Sequence, residues 1–311
     1  EVCLNCNFGQ RKKHSGLYAG NHLKTELPDR LNIIRNRSAD FKFLISNLKS
    51  PMFIIETYFL AVVLSVITMI CWGSWPNMQK LVRPSWRFEL FYWDYVLGIV
   101  LVALLFAFTL GSYGNMGRGF LPDLAQAEWK HIFSAMLGGV IFNAANILFV
   151  AAIALAGMAV AFPVGAGFGL ILGVSVNYIA TPVGDACLLF GGVALIAAAI
   201  LLSATAYRRL SRSQSKVSAK GILLTLAAGV LFGFFYRFIA ESMYADFRLP
   251  EAGKLGPYSA VVCFGMGVLL SNVVFNTLLM KKPVEGKPLR YSDYFKGNGK
   301  DHTMGLLGGI I

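Results

Sequence analysis

Few residues in this 311-residue chain can do chemistry, because 56% of them are hydrophobic and only 14% are charged. Asp94 stands out. It follows Phe88 by six residues, about 9 Å along a helix axis, inside a long apolar stretch. A carboxyl at that depth is costly to keep charged, so it suits the uptake and release of a coupling proton. Glu89 and Glu241 are lesser candidates for the same task, with Glu89, like Glu56, within a turn of an interface. Arg237 and Glu241 are spaced i,i+4 and share a helix face, where they could pair or hold a polar or anionic solute. Asn143 and Asn146 lie one turn apart in "GGVIFNAANILF", and each offers a donor and an acceptor that suit hydroxyl or ureido groups; hydrogen bonding between helices is the alternative.

Aromatic residues cluster beside these groups. The stretch "CWGSWPN" places Trp72 and Trp75 around Gly73, with Pro76 behind them. The glycine and proline are expected to loosen the helix where an aromatic wall stands, which suits a gate or a stacking platform, with Tyr236 as a further stacking residue. A plain interfacial belt is the alternative. In "AFPVGAGFGLILGV", Gly165, Gly169 and Gly173 recur every fourth residue as a face for close helix approach, and Pro163 is expected to kink the helix.

Other chemistries find little support. Cys3 and Cys6 form a lone Cys-x-x-Cys with no second pair, and none of the four histidines (His14, His22, His131, His302) falls at mid-membrane depth. No metal or cofactor is expected. Cys71, Cys187 and Cys263 read as small apolar fillers. A membrane-embedded enzyme on lipid-linked substrates would need clustered His, Asp or Glu at an interface, and the loops show none.

The elements that must position these residues are membrane helices. A bilayer core about 30 Å thick takes roughly 20 apolar residues to span. Seven such blocks occur, at 54–75, 88–111, 131–155, 158–180, 187–207, 221–243 and 256–280, and an eighth begins at Met304. The connections after the first, third, fifth and seventh blocks hold 14 Lys and Arg, and the opposite connections hold four: Arg118, Lys130, Arg248 and Lys254. The net charge of +12 therefore reports topology, not nucleic-acid binding. The positive-inside rule places the basic side in the cytoplasm and the start of the first span outside, in the cell (inner) membrane. Residues 1–51 carry nine Lys and Arg, a glycosylation-type Asn36-Arg37-Ser38 and no signal-peptide pattern; they are expected to be a non-native or disordered leader, with Met52 as the natural start.

A shift of 160 residues lays 64–77 over 224–237, bringing Ser65 onto Thr225, Gly73 onto Gly233 and Trp75 onto Phe235. Five spans per unit is odd, so a second copy enters from the other face. The expected fold is all-α, an inverted repeat of five transmembrane helices, ten in full with about seven and a half present. Residues 52–207 form the first repeat, 208–220 a basic linker, and 221–311 a truncated second repeat.

The motifs "WGSWP", "YWDY" (92–95), "GGV" followed by Asn146, and "LAGMAVAFPVGAGFGLILGVSVNYI" (155–179) resemble the ureide permease and glucose/rhamnose porter branch of the drug/metabolite transporter superfamily. That resemblance implies ten helices in two inverted repeats and transport of small neutral polar solutes, often with protons. It puts Asp94 on the acid of the family's helix 2 and Asn146 on the Asn of helix 3; Asn143 has no consistent counterpart. The short link at 208–220 points to a bacterial-type member. The expectation is a proton-coupled permease for a sugar, ureide or nucleobase derivative, with its site on spans 1, 2, 3 and 6. An efflux permease for cationic or amphipathic compounds is the alternative, although such pumps favour a deep glutamate in the first span and Glu56 is shallow.

Overall fold

The computed structural model describes residues 51–210, 218–284 and 286–311. The leader, apart from Pro51, and the middle of the basic linker lie outside them. Seven helices are long and apolar enough to cross a bilayer. They are α1 (Tyr58–Lys80), α2 (Phe88–Phe108), α4 (Trp129–Ala156), the segment Phe162–Ala180 that contains α6 (Gly167–Ala180), α7 (Ala186–Leu210), α8 (Ala219–Ser242) and α9 (Pro257–Lys281). Shorter helices join them: α3 (Phe120–Gln126), α5 (Met158–Ala161), α10 (Tyr291–Tyr294) and α11 (Gly299–Ile310). The described residues contain no β-strand, only two isolated bridges.

The apolar surface is turned outward to an extent that water does not permit. None of the most apolar window of α7 is buried, and only 6% of that of α1. Phe59, Met69, Ile70, Leu188 and Leu195 are exposed. Contiguous apolar surface of this size needs lipid against it, and the chain is a multi-pass membrane protein.

The two ends of the bundle differ. At the basic end, the α1–α2 connection meets the segment after α9, where Arg83 pairs with buried Asp301 at 2.5 Å. The Arg87 guanidinium donates to the Lys287 carbonyl at 2.5 Å. At the opposite end, α3 holds the α8–α9 connection: the Gly256 N–H donates to Asp123 Oδ2 at 2.6 Å, and the Gly253 N–H to Gln126 Oε1 at 2.6 Å.

Helix pairing repeats itself. α4 packs against α8 and α9, and α11 packs against α1 and α2. These are the same two contacts after an exchange of spans 1 and 2 for spans 6 and 7. Single glycines carry the correspondence. A Cβ on Gly139 would overlap the Phe264 carbonyl, and one on Gly309 would overlap the Tyr95 carbonyl. Likewise Gly267 meets the Met136 carbonyl and Gly98 the Leu306 carbonyl. The doublets "MLGGVI" (136–141) and "LLGGII" (306–311) thus sit in equivalent places. The register is 169–170 residues here rather than 160, because the connection 243–256 is longer than its counterpart 81–87. Absent side chains let the backbones touch, and packing replaces the hydrophobic effect that lipid cannot supply.

Three local expectations need correction. Helix α1 runs unbroken through Gly73 and Pro76. Pro76 lies in the last turns, so its missing N–H removes one bond near a helix end and the rest of the ladder holds. Gly73 has open space around it, whereas Gly233 packs on Leu172, so their alignment does not mean a shared packing role. Pro163 does not kink a plain α-helix: it sits in a π-helical turn, Phe162–Ala166, that follows α5 and leads into α6. The eighth apolar helix begins at Gly299, not Met304, with Asn298 capping it by accepting from the Asp301 N–H at 2.8 Å.

Candidate functional site

Two cavities enter the bundle from its two ends. The larger, about 1030 Å³, opens at the end opposite the basic one between α4, α6 and α8, and its polar lining includes Ser134, Asn177, Tyr236, Arg237 and Glu241. It shares Val174, Asn177 and Tyr236 with an apolar recess of about 400 Å³ that reaches inward to Trp72, Phe142 and Phe232. The cavity at the basic end, about 290 Å³, is lined by Trp75, Pro76, Gln79, Arg87, Glu89 and Ile153.

Trp72 and Trp75 therefore face different cavities. They are three residues apart, so the divide along α1 is a little less than one helical turn, about 4.5 Å. Trp72 packs on Phe162 of the π-helical turn, ring centroids 6.2 Å apart, and Trp75 is buried on Tyr95 at 5.0 Å. Beside them the barrier is aromatic: Phe142 meets Phe232, Phe235 and Phe264 at 5.8, 5.2 and 5.3 Å, and Phe149 meets Phe162 at 5.4 Å. Edge and tilted contacts of this kind hold rings in place without polar bonds. The expected stacking pair is thus split, with one ring on each side.

Asn143 and Asn146 do not reach the lining of these cavities. Both are buried. The Tyr92 hydroxyl donates to Asn143 Oδ1 at 2.8 Å and accepts from Asn146 Nδ2 at 3.0 Å, while Asn143 Nδ2 donates to Ser271 Oγ at 2.9 Å. Their amides are spent on α2 and α9. One turn of α9 further, Asn276 Nδ2 donates to the Glu89 carbonyl at 2.9 Å, and neither amide atom of buried Asn272 has a partner. Glu89 itself is buried and paired with Arg87.

Asp94 is buried away from both cavities, against the segment that follows α9. Its carboxylate accepts from the Tyr294 hydroxyl at 2.5 Å and contacts His302 Nδ1 at 2.9 Å. Trp86 closes over this group, its ring 5.1 Å from that of His302. Tyr294 and His302 were not expected at the site. Their only signal in the sequence is that Asp94 needs partners and that "YSDY" and "DHT" follow the seventh span on the same side.

Arg237 and Glu241 line the larger cavity together, yet among the described residues no ion pair joins them. Gly165, Gly169 and Gly173 face α8, where a Cβ would lie 3.0 Å from Thr225, 3.1 Å from the Gly229 carbonyl and 3.3 Å from the Gly233 carbonyl respectively. This row forms the wall between α6 and α8 beside the apolar recess.

Fold and site together define a polytopic membrane protein with cavities at both ends and an aromatic barrier between them. Residues 91–220 match the ureide permease family. Ureide permeases 2 and 1 of Arabidopsis thaliana are each 28% identical to this chain, over 162 and 159 residues, covering 50% of it and 41% of each relative. A probable ureide permease A3 of Vigna unguiculata is 30% identical over 152 residues, 46% of this chain and 40% of its own. The chain spans about two fifths of the length of the curated relatives it matches. No solved structure matches it.

Proposed function

We propose that the chain forms the solute pathway of a secondary active permease for a small polar solute of the ureide class, driven by protons and working by alternating access. One observation carries this reading: a single turn of α1, Trp72 to Trp75, stands between a cavity from each end of the bundle. A permease must open each cavity in turn, and a thin aromatic divide is what such a motion has to shift. The inverted repeat supports the same reading, because two halves of like packing and opposite orientation can exchange their conformations. Sugars and nucleobase derivatives offer similar donors and acceptors and belong in the same screen.

In this reading Asp94 takes the coupling proton, with Tyr294 and His302 as its partners. Its neighbour Tyr95 stacks on Trp75, so a change at Asp94 that loosens α11 from α2 is transmitted to the divide through one ring contact. Trp72, Trp75 and Tyr236 contact the solute on its way, and Arg237 meets it in the larger cavity. Asn143 and Asn146 act as the fixed polar seam of the bundle instead. Lys and Arg asymmetry supports a cytoplasmic basic end, with the larger cavity facing outward. The short link at 208–220 keeps the chain with bacterial-type members of the drug/metabolite transporter superfamily.

Proteoliposomes holding the full chain, loaded at one pH and diluted into another, test this with labelled hydantoin and labelled glucose. Accumulation of hydantoin that follows the pH gradient and collapses in Asp94→Asn is the expected result. Uptake of neither solute under any gradient refutes the permease reading, and full proton-dependent accumulation in Asp94→Asn refutes the coupling assignment.

A further inference from the structure

We propose that His302 relays the coupling proton between Asp94 and water at the basic end of the bundle, and that the equivalent place at the opposite end is sealed. The inference rests on the permease reading with Asp94 as its proton carrier, and names a further residue for the same step. Asp94 lines neither of the two cavities nor the apolar recess. Its side chain is 3% exposed, while that of His302, which touches it through Nδ1 at 2.9 Å, is 28% exposed. Among the described residues, the titratable groups in contact with the Asp94 carboxylate are Tyr294 from α10 and His302 from α11. Asp301, next to His302 in the chain, is held by Arg83. From the other side α9 meets α2 through Asn276 and Met280, neither of which titrates.

Tyr294 offers no way out. Its hydroxyl donates to Asp94 Oδ1, and its ring lines an apolar recess with Trp93, Leu97, Tyr291 and Phe295. The imidazole does offer one. Its Nε2 abuts Gly297, where a Cβ would overlap both that nitrogen and the Trp86 ring, so the missing side chain leaves Nε2 uncapped. An imidazole passes a proton by taking one at one nitrogen and releasing one from the other. Nδ1 takes the proton of the neutral Asp94 carboxyl, and the imidazolium gives its Nε2 proton to water. The ring is then left with Nδ1–H donating to the ionised carboxylate.

The repeat shows what stands at the other end. At the register of 169–170 residues set by the glycine contacts, Trp86 and Asp94 correspond to Leu255 and Cys263, and Tyr294 and His302 to Leu124 and Ile132. Those four counterparts belong to one hydrophobic cluster. The same helix arrangement therefore carries a proton relay at the basic end and a hydrocarbon seal around a buried thiol at the opposite end.

The test uses the full chain in proteoliposomes with labelled hydantoin in two modes: uptake driven by a pH gradient, and solute exchange at equal pH. His302→Gln keeps a side chain that can hydrogen-bond Asp94 and cannot pass a proton on. It should slow driven uptake at least about tenfold and leave exchange unchanged. In His302→Ala, added imidazole should restore part of the driven uptake. Cys263→Ser, at the counterpart of Asp94, should change neither mode. Driven uptake in His302→Gln equal to the parent, loss of both modes with no rescue by imidazole, or a Cys263→Ser chain that loses driven uptake each overturns this inference and leaves the permease reading standing. A parent chain that exchanges solute without responding to pH overturns the relay together with proton coupling, and a parent chain that shows neither mode overturns the permease reading too. If the variants do not fold, carbethoxylation of His302 in the parent by diethyl pyrocarbonate, located by mass spectrometry, takes their place, and driven uptake that persists after it overturns the relay.

Discussion

Replacing Tyr92 by phenylalanine deletes one oxygen and nothing else, yet that oxygen serves two amides. It donates to Asn143 Oδ1 and accepts from Asn146 Nδ2, in a seam where Tyr92 and Asn143 have no exposed surface. Tyr92→Phe leaves one acceptor and one donor unpaired. A buried polar group without a partner costs about 1–3 kcal/mol, but hydrogen bonds inside membrane bundles average only about 0.6 kcal/mol because freed groups find new partners. Asn143 keeps its bond to Ser271, so its carboxamide cannot rotate freely to repair the loss. We therefore expect the upper part of that range to be out of reach and the cost to be about 1–2 kcal/mol, which for a chain of this size lowers Tm by on the order of 5 °C. Thermal unfolding followed by intrinsic fluorescence in one detergent measures it. Asn272→Leu is the control: both of its amide atoms are already unpartnered, so an apolar residue of similar size should be neutral or stabilising. If Tyr92→Phe unfolds within 1 °C of the parent while Asn272→Leu costs several degrees, the assignment of Asn143 and Asn146 to a fixed seam is wrong, and their amides must be accounted for by a solute or by water.

Other outcomes follow from the same geometry. Gly139→Leu should abolish stable folding, because even a Cβ there overlaps the Phe264 carbonyl, whereas Gly73→Ala, in open space within a helix, should raise stability by about 0.5–1 kcal/mol; expression and thermal unfolding read both. Burial alone would raise the Asp301 carboxyl, but the hydrogen bonds and charge of Arg83 hold it below the usual carboxylate range. Its contribution is present above the unfolded value of about 3.9 and is lost as pH falls through the lowered folded value, so Asp301→Asn should flatten the acid limb of a stability-against-pH curve. Asp123 has the opposite sign. Burial pushes its carboxyl up despite Ser259, the Gly256 N–H and Arg118, so its contribution is present below about 3.9 and is lost as pH rises through the raised folded value. Asp123→Asn should therefore remove part of the fall in stability from mildly acidic to neutral pH. Single cysteines at 72 and 75, in a chain otherwise free of cysteine, should be labelled by an impermeant thiol reagent from opposite sides of oriented vesicles; labelling of both from one side would erase the divide.

The sequence by itself determined the class and the scaffold. Span length is set by bilayer thickness, which acts on a sum over neighbours in the chain, so seven spans could be placed to within a few residues. The repeat was legible only as a weak match of Gly73 and Trp75 to Gly233 and Phe235, and the packing shows that the two glycines do not share a role. What the sequence did not supply was the partner of each buried polar or aromatic side chain. The sequence left Asn143 and Asn146 between a solute and a neighbouring helix because their partner, the Tyr92 hydroxyl, lies some fifty residues away, 51 from one and 54 from the other. The partners of Asp94 were not legible because Tyr294 and His302 arrive from 200 and 208 residues further on. The two tryptophans read as one platform because three residues look like one place in a sequence. On a helix they lie only about 60° apart around the axis and about 4.5 Å apart in height, and only the packing of Phe162 against one and Tyr95 against the other decides that they face different cavities. Composition and periodicity fix which segments enter the membrane, while the pairing of polar atoms depends on which helices become neighbours, and that is a property of the assembled bundle.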